Sequence, residues 1–290
     1  MEENHPGEEI SNMDITFPFF QDICLKIGPT LTNEEGYPSS RLQKGLILIS
    51  NGQELAEEGV GFGVPVLKQG VKAIFSGEIE LTWSNEGSHQ EIAAIFFMNL
   101  VERLTSQSHG RIKSRSLYHI KDHLAELYRR FPLSRGALTT LSNMLRSGFG
   151  WQTTFEEAGC NYAVKVNYSV DINTRTIAVA VDMSGVPKDG VTEVILMNEQ
   201  GAHYFDTYSD SSGLLLQGET IGSWEKVTSK TASFLSSAHR LAFTLHQING
   251  VSLYRGRELI GSRLAWSGFG YSLLPSNQRF TYTVGIDKLA

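Results

Sequence analysis

The sequence predicts a mainly β protein: a large antiparallel β-sandwich with one helical hairpin inserted at about 116–146. Three observations predict it. Short runs of apolar, β-branched and aromatic residues recur along the chain, separated by Gly, Pro and Asn-Gly turn signals. Helical spacing is confined to one stretch near the middle. Strands do not alternate with helices, which disfavours a doubly wound parallel sheet.

In chain order, residues 1–13 are polar and acidic and predict a flexible tail, leaving 14–290 as a single domain with the helical insertion. Leu46-Ile47-Leu48-Ile49-Ser50 runs into Asn51-Gly52, a strand entering a tight turn. Residues 64–67 and 71–75 flank the Gln69-Gly70 turn, and 78–83 alternate polar with apolar as a half-exposed strand does. Residues 91–104 carry two signals. Ser88 with Glu91 fits a capping box, but Ile92, Ile95, Phe96, Phe97 and Val101 leave no polar stripe and favour the return strand of a long hairpin. Leu117, Ile120, Leu124 and Leu127 then recur at helical offsets up to Pro132, and Leu138, Leu141 and Leu145 repeat the pattern up to Gly148. The clearest β-hairpin comes next: 162–170 alternates, Asp171-Ile172-Asn173-Thr174 turns the chain, and 175–182 returns. Further strands are expected at 191–208, 214–217, 240–247, 251–255, 264–274 and 280–287.

Composition bounds the function. At 290 residues with 41% hydrophobic and 19% charged, the chain is ordinary globular material, long enough to bury a substantial core. A net charge of −6 argues against nucleic acid, which needs a basic surface. Basic residues do cluster between Arg111 and Arg146, where a solvated helical face is the simpler reading. Cys24 and Cys160 form no CxxC and imply buried free thiols rather than a disulfide framework. The amino terminus shows no secretory signal pattern, and the longest apolar stretch, 92–98, is too short for a membrane helix. A cytoplasmic protein without a membrane partner is expected. Oligomeric state is not legible.

Most motifs dissolve on inspection. Gly59, Gly61 and Gly63 lack the dinucleotide spacing and are followed by Pro65. Ser147-Gly148-Phe149-Gly150 recurs at Ser267-Gly268-Phe269-Gly270, with an echo at Gly61-Phe62-Gly63; these read as bend elements where glycine admits a kink and an aromatic covers it. His119 and His123 stand four apart on a predicted helix but lack a third ligand, so an exposed face is favoured over a metal site. Residues 206–213 resemble a calcium loop only loosely and read better as an Asx-type turn. No metal and no cofactor are expected.

The candidate chemistry lies in the run 191–208, apolar at first and then carrying Glu199 and His203. On a regular strand both share a face with Ile195 and Met197, about 13 Å apart, too far to touch but able to flank a small substrate as acid and base. Arg255 and Arg257 share a face and can bind a carboxylate or a phosphate bidentately, although an edge strand defended by charge is the simpler reading. Trp151, Trp266 and Tyr204 sit beside polar or small residues, as aromatics that stack on sugar rings do.

This layout of long strands with an inserted helical hairpin resembles the galactose-mutarotase-like superfamily, at the level of architecture and without a matching motif. The resemblance implies a sugar-facing cleft on a concave sheet, where His and carboxylates do acid–base work. The expected function is therefore a carbohydrate-binding or carbohydrate-acting β-sandwich with a sugar or sugar-acid ligand. The alternative is a non-catalytic protein-interaction module whose partner surface is the basic hairpin, including Arg129, Arg130 and Arg135.

Overall fold

The computed structural model describes residues 9–10, 14–29, 42–70, 72–106, 151–260 and 264–289. Nineteen strands run through them: β1 (Glu9–Ile10), β2 (Ile15–Phe20), β3 (Ile23–Ile27), β4 (Ile47–Ser50), β5 (Gln53–Glu54), β6 (Gly61–Gln69), β7 (Lys72–Glu86), β8 (His89–Ser106), β9 (Trp151–Asp171), β10 (Thr176–Asp182), β11 (Glu193–Gln200), β12 (Thr207–Asp210), β13 (Leu215–Gln217), β14 (Glu225–Lys226), β15 (Thr231–Ser236), β16 (Leu241–His246), β17 (Ser252–Ile260), β18 (Leu264–Leu273) and β19 (Arg279–Lys288). The fold is mainly β and the pairing antiparallel throughout. The helical hairpin expected at 116–146 lies outside the described residues, as do His119, His123 and the basic cluster around Arg129, Arg130 and Arg135.

One long sheet runs β13-β12-β15-β16-β19-β10-β9-β8-β7-β6-β11-β18-β17-β14, with β1 joined to β7, and a small sheet runs β2-β3-β4-β5. The long sheet folds over on itself. Phe62 of β6 meets Phe243 of β16 with ring centroids 5.4 Å apart, and Phe234 of β15 meets Phe269 of β18 at 4.8 Å. These four rings are fully buried, each worth roughly 1.5–3 kcal/mol relative to exposure, so the two halves of the path form the layers of a sandwich.

Residues 91–104 are strand, within β8, whose register with β9 runs from His89↔Asp171 to Ser106↔Trp151. The β-branched and aromatic residues outweigh the capping signal because both neighbours of β8 offer full ladders. The 162–170 and 175–182 hairpin stands as β9 and β10, closed over Asp171, whose Oδ1 accepts the Asn173 N–H at 2.8 Å.

One irregularity marks the end of β11. The β11–β6 register slips between Met197 and Asn198, leaving Gly63 unpaired as a bulge with φ 78°. The Gly63 N–H donates instead to Asn198 Oδ1 at 3.2 Å, the Tyr282 hydroxyl donates to the same oxygen at 2.8 Å, and Asn198 Nδ2 donates to the Leu196 carbonyl at 3.1 Å. Asn198 is fully buried, so these bonds replace the water it has lost.

Candidate functional site

Strand β11 ends at Gln200, earlier than the expected strand-like run 191–208. The break is made by hydrogen bonds that no local pattern announces. Gly201 N–H donates to the Leu55 carbonyl at 2.7 Å, and the N–H groups of Tyr204 and Phe205 fold back onto the Gly201 carbonyl at 3.2 and 3.0 Å. The chain turns over 201–204 and restarts as β12. Glu199 and His203 therefore do not occupy one wall of one strand, which corrects the expected arrangement: alternation stops where extension stops.

Cross-strand register sorts the side chains at this end of the sheet. Glu199 pairs with Gly268 and Gln200 with Ser267; across the next ladder Gly256 pairs with Gly268, Arg257 with Ser267 and Glu258 with Trp266. Directly opposed residues share a face. One face therefore carries Glu199, Gly268, Gly256, Trp266 and Glu258, and the other carries Gln200, Ser267 and Arg257.

On the first face two tryptophans lie on a floor of glycines. Trp224 and Trp266 are tilted 32° with centroids 5.3 Å apart. A Cβ on Gly270 would stand 2.7 Å from the Trp224 ring, and one on Gly256 would stand 2.8 Å from the Trp266 ring, so only glycine lets the indoles reach the sheet. Trp224 itself adopts φ 55°, the left-handed region that non-glycine residues rarely enter. Beside them Glu199 is 3% exposed. Its only hydrogen bond within the described residues is a long one, from Val60 N–H to Oε2 at 3.5 Å. Burial pushes its carboxyl up to about 8; the Val60 bond opposes that shift and the charge of Glu258 adds to it. Glu199 therefore keeps its proton to higher pH than an exposed carboxyl does.

On the second face the hydrogen bonding is incomplete. Gln200 and Ser267 are fully buried, and Gln200 Nε2, Ser267 Oγ and Arg257 Nε each lack a partner among the described residues. Gln200 Oε1 accepts the Leu48 N–H at 3.3 Å, and Arg257 Nη2 donates to the Ala202 carbonyl at 3.1 Å. The turn beyond carries His203, whose Nδ1 lies 2.6 Å from Glu57 Oε1 and whose N–H donates to Glu57 Oε2 at 3.1 Å. A Cβ on Gly201 would come within 2.5 Å of the Glu57 carboxylate, so Gly201 is what admits Glu57 to the turn.

Of the other expected site residues, Arg255 is engaged: Nε donates to the Ile221 carbonyl at 3.3 Å and the guanidinium lies 4.7 Å over the Tyr208 ring. Tyr204 accepts a hydrogen bond from Gln53 Nε2 at 2.7 Å and meets the His239 ring edge-on at 5.2 Å. Trp151 begins β9, its backbone paired with Ser106, while Trp266 takes part in the aromatic floor. The structure thus joins Glu199 with Trp266, and His203 with Glu57 near Arg257. Trp224 sits, like Trp266, among small or charged residues in the sequence; sequence reasoning missed Glu57, Gln200 and Ser267. The paired glycines of Ser267-Gly268-Phe269-Gly270 were a usable sign, since glycines two apart on a strand clear one face. Nothing in the sequence ties Glu57 to His203 across 146 positions. Within 206–213 the chain is strand β12 up to Asp210 and then an Asx turn, with Asp210 Oδ1 accepting the Ser212 N–H at 2.8 Å. Among the described residues no group of three His, Cys, Asp or Glu is placed to hold a metal, and no described helix is long and apolar enough to cross a membrane.

No protein-family model and no curated protein sequence matches the chain. Solved structures do. An alpha-N-acetylgalactosaminidase from Bifidobacterium bifidum in complex with GalNAc superposes with TM-score 0.50 at 9% identity over 95% of this chain, which spans only 36% of the length of that enzyme. A galactose mutarotase-like protein from Clostridium acetobutylicum superposes over 98% of both chains with TM-score 0.38 and 10% identity. The likeness is one of β-sandwich architecture.

Proposed function

We propose that the protein binds, and acts on, a carbohydrate at the face of β11, β18 and β17 that carries Glu199, Trp224 and Trp266. The observation that supports this most is the buried Glu199, its carboxyl pushed up to about 8, beside an aromatic pair packed against a glycine floor. A sugar ring offers apolar C–H faces and many hydroxyls, and an indole platform next to a proton donor complements both. Glu199 serves as the acid toward a ring or leaving-group oxygen, and Glu258 supplies the second carboxylate on that face. His203 and Glu57 stand outside this constellation. The shared architecture with an enzyme named for an N-acetylgalactosamine substrate makes GalNAc and galactose the first ligands to test.

The test is a thermal-shift and calorimetric screen of neutral monosaccharides and their nitrophenyl glycosides. A sugar should bind the parent chain and lose most of its affinity with Trp224→Ala. Glu199→Gln should retain binding and lose turnover. A parent chain that binds no sugar in the panel, or Glu199→Gln and Trp224→Ala variants that behave as the parent, removes this reading.

A further inference from the structure

The opposite face of the same three strands holds an unfinished site. Gln200, Ser267 and Arg257 form one cross-strand row through β11, β18 and β17. Each presents a buried polar atom without a partner among the described residues: Nε2, Oγ and Nε. An orphaned buried polar group is costly and native folds leave few of them; three of the five such atoms among the described residues fall in this one row. All three can donate, and two of them, the Gln amide nitrogen and the guanidinium nitrogen, can only donate. The missing group is therefore an acceptor.

Its charge follows from Arg257. The guanidinium is half buried and its proton affinity is lowered chiefly by desolvation, against the opposing charges of Asp206, Glu219 and Glu57. No carboxylate among the described residues comes within ion-pair distance of it. Glu57 is instead taken up by His203, and Asp206 Oδ1 accepts from the Thr207 hydroxyl at 3.0 Å. A desolvated cation without a touching counter-ion lacks its compensation. The three carboxylates at longer range set an upper limit on what can be added: one negative charge is balanced by Arg257, and a doubly charged phosphate is opposed. Neighbouring strands stand about 4.8 Å apart, so the Gln and Arg side chains on either side of Ser267 are long enough to converge on one small acceptor.

We propose that the Gln200–Ser267–Arg257 row is a carboxylate-binding site. The carboxylate accepts from Arg257 Nε–H on one oxygen and from Ser267 Oγ–H and Gln200 Nε2–H on the other, while Arg257 Nη2 stays on the Ala202 carbonyl. The ligand is a small monocarboxylate, whether a free acid or a sugar acid. The site lies across the sheet from Glu199 and Trp224 and does not rest on the sugar reading of that face.

Isothermal titration and thermal shift of the full chain with acetate, glucuronate, glucuronamide and inorganic phosphate test it. Glucuronate should bind and raise the melting temperature, acetate should compete with it, and glucuronamide should bind at least tenfold more weakly. Ser267→Ala removes a hydroxyl that has no partner among the described residues, so it should fold as the parent does and lose about tenfold in glucuronate affinity. Arg257→Lys should lose more than Ser267→Ala does. Free-acid recognition is read as equal affinity for acetate and glucuronate, and sugar-acid recognition as stronger binding of glucuronate. The proposal is overturned if neither carboxylate binds, if glucuronamide or phosphate binds as well as glucuronate, or if Ser267→Ala and Arg257→Lys both bind as the parent.

Discussion

The two faces of one row of strands, β11, β18 and β17, solve the burial of polar groups in opposite ways. On the face of Glu199 the charge itself is given up: the carboxyl is buried against a nearby carboxylate and holds its proton up to about pH 8. On the face of Arg257 the charge is kept and the hydrogen bonding is left incomplete. An acid can escape the cost of desolvation by neutralising at accessible pH; a guanidinium cannot. On the readings proposed above, the first face gives up a proton and the second takes up an acceptor.

The sharpest way to break the comparison is to fill the floor between them. Gly268 pairs with both Glu199 and Gly256, and a Cβ there would run into the Asn198 carbonyl oxygen. Gly268→Ala should destabilise the fold by about 3 kcal/mol through overpacking, read by urea denaturation, and should disturb ligand binding on both faces. A variant as stable as the parent would mean that the floor is not closed.

Second in size is the pH dependence that Glu199 imposes. Its carboxyl is raised in the folded state, so its contribution to stability is fully present below the unfolded value near 4.5 and is lost as pH rises toward about 8. Between those values the unfolded chain releases the proton that the folded chain keeps. Glu199→Gln should remove a loss on the order of a few kcal/mol across that window and flatten the curve. A parent chain whose melting temperature does not fall between about pH 5 and 8 relative to Glu199→Gln would show that Glu199 ionises normally.

Smaller effects separate the second face. Ser267→Ala, measured without ligand, should be neutral or stabilising by up to about 1 kcal/mol, because it deletes an orphaned buried hydroxyl. A loss above about 1 kcal/mol would reveal a partner for Ser267. His203→Ala should cost least, below about 1 kcal/mol, since the His203 side chain is 51% exposed where it meets Glu57. A larger cost in the same denaturation assay would make the Glu57–His203 pair a structural clamp rather than a surface contact.

Much of the fold was legible residue by residue. The alternation in 162–170 and 175–182 marked β9 and β10, and the β-branched and aromatic content of 91–104 marked β8 against a capping box. Part of the candidate arrangement was legible as well: Glu199 does end an apolar strand, and Trp266 does lie on the same face. The pairing of Glu199 with His203 failed at one residue: Gly201 donates to Leu55, from a distant stretch of chain, and a periodic pattern carries no record of such a bond.

The sequence by itself determined the β class, most of the strands and their inward faces, since period-two alternation is a local consequence of extended backbone. Only the tertiary structure decided which polar residues belong together. Register across β11, β18 and β17 placed Glu199 with the tryptophans and Gln200 with Arg257, although Glu199 and Gln200 are neighbours in the chain. Adjacent residues on a strand face opposite ways, so a one-residue step in sequence became the full thickness of a sheet.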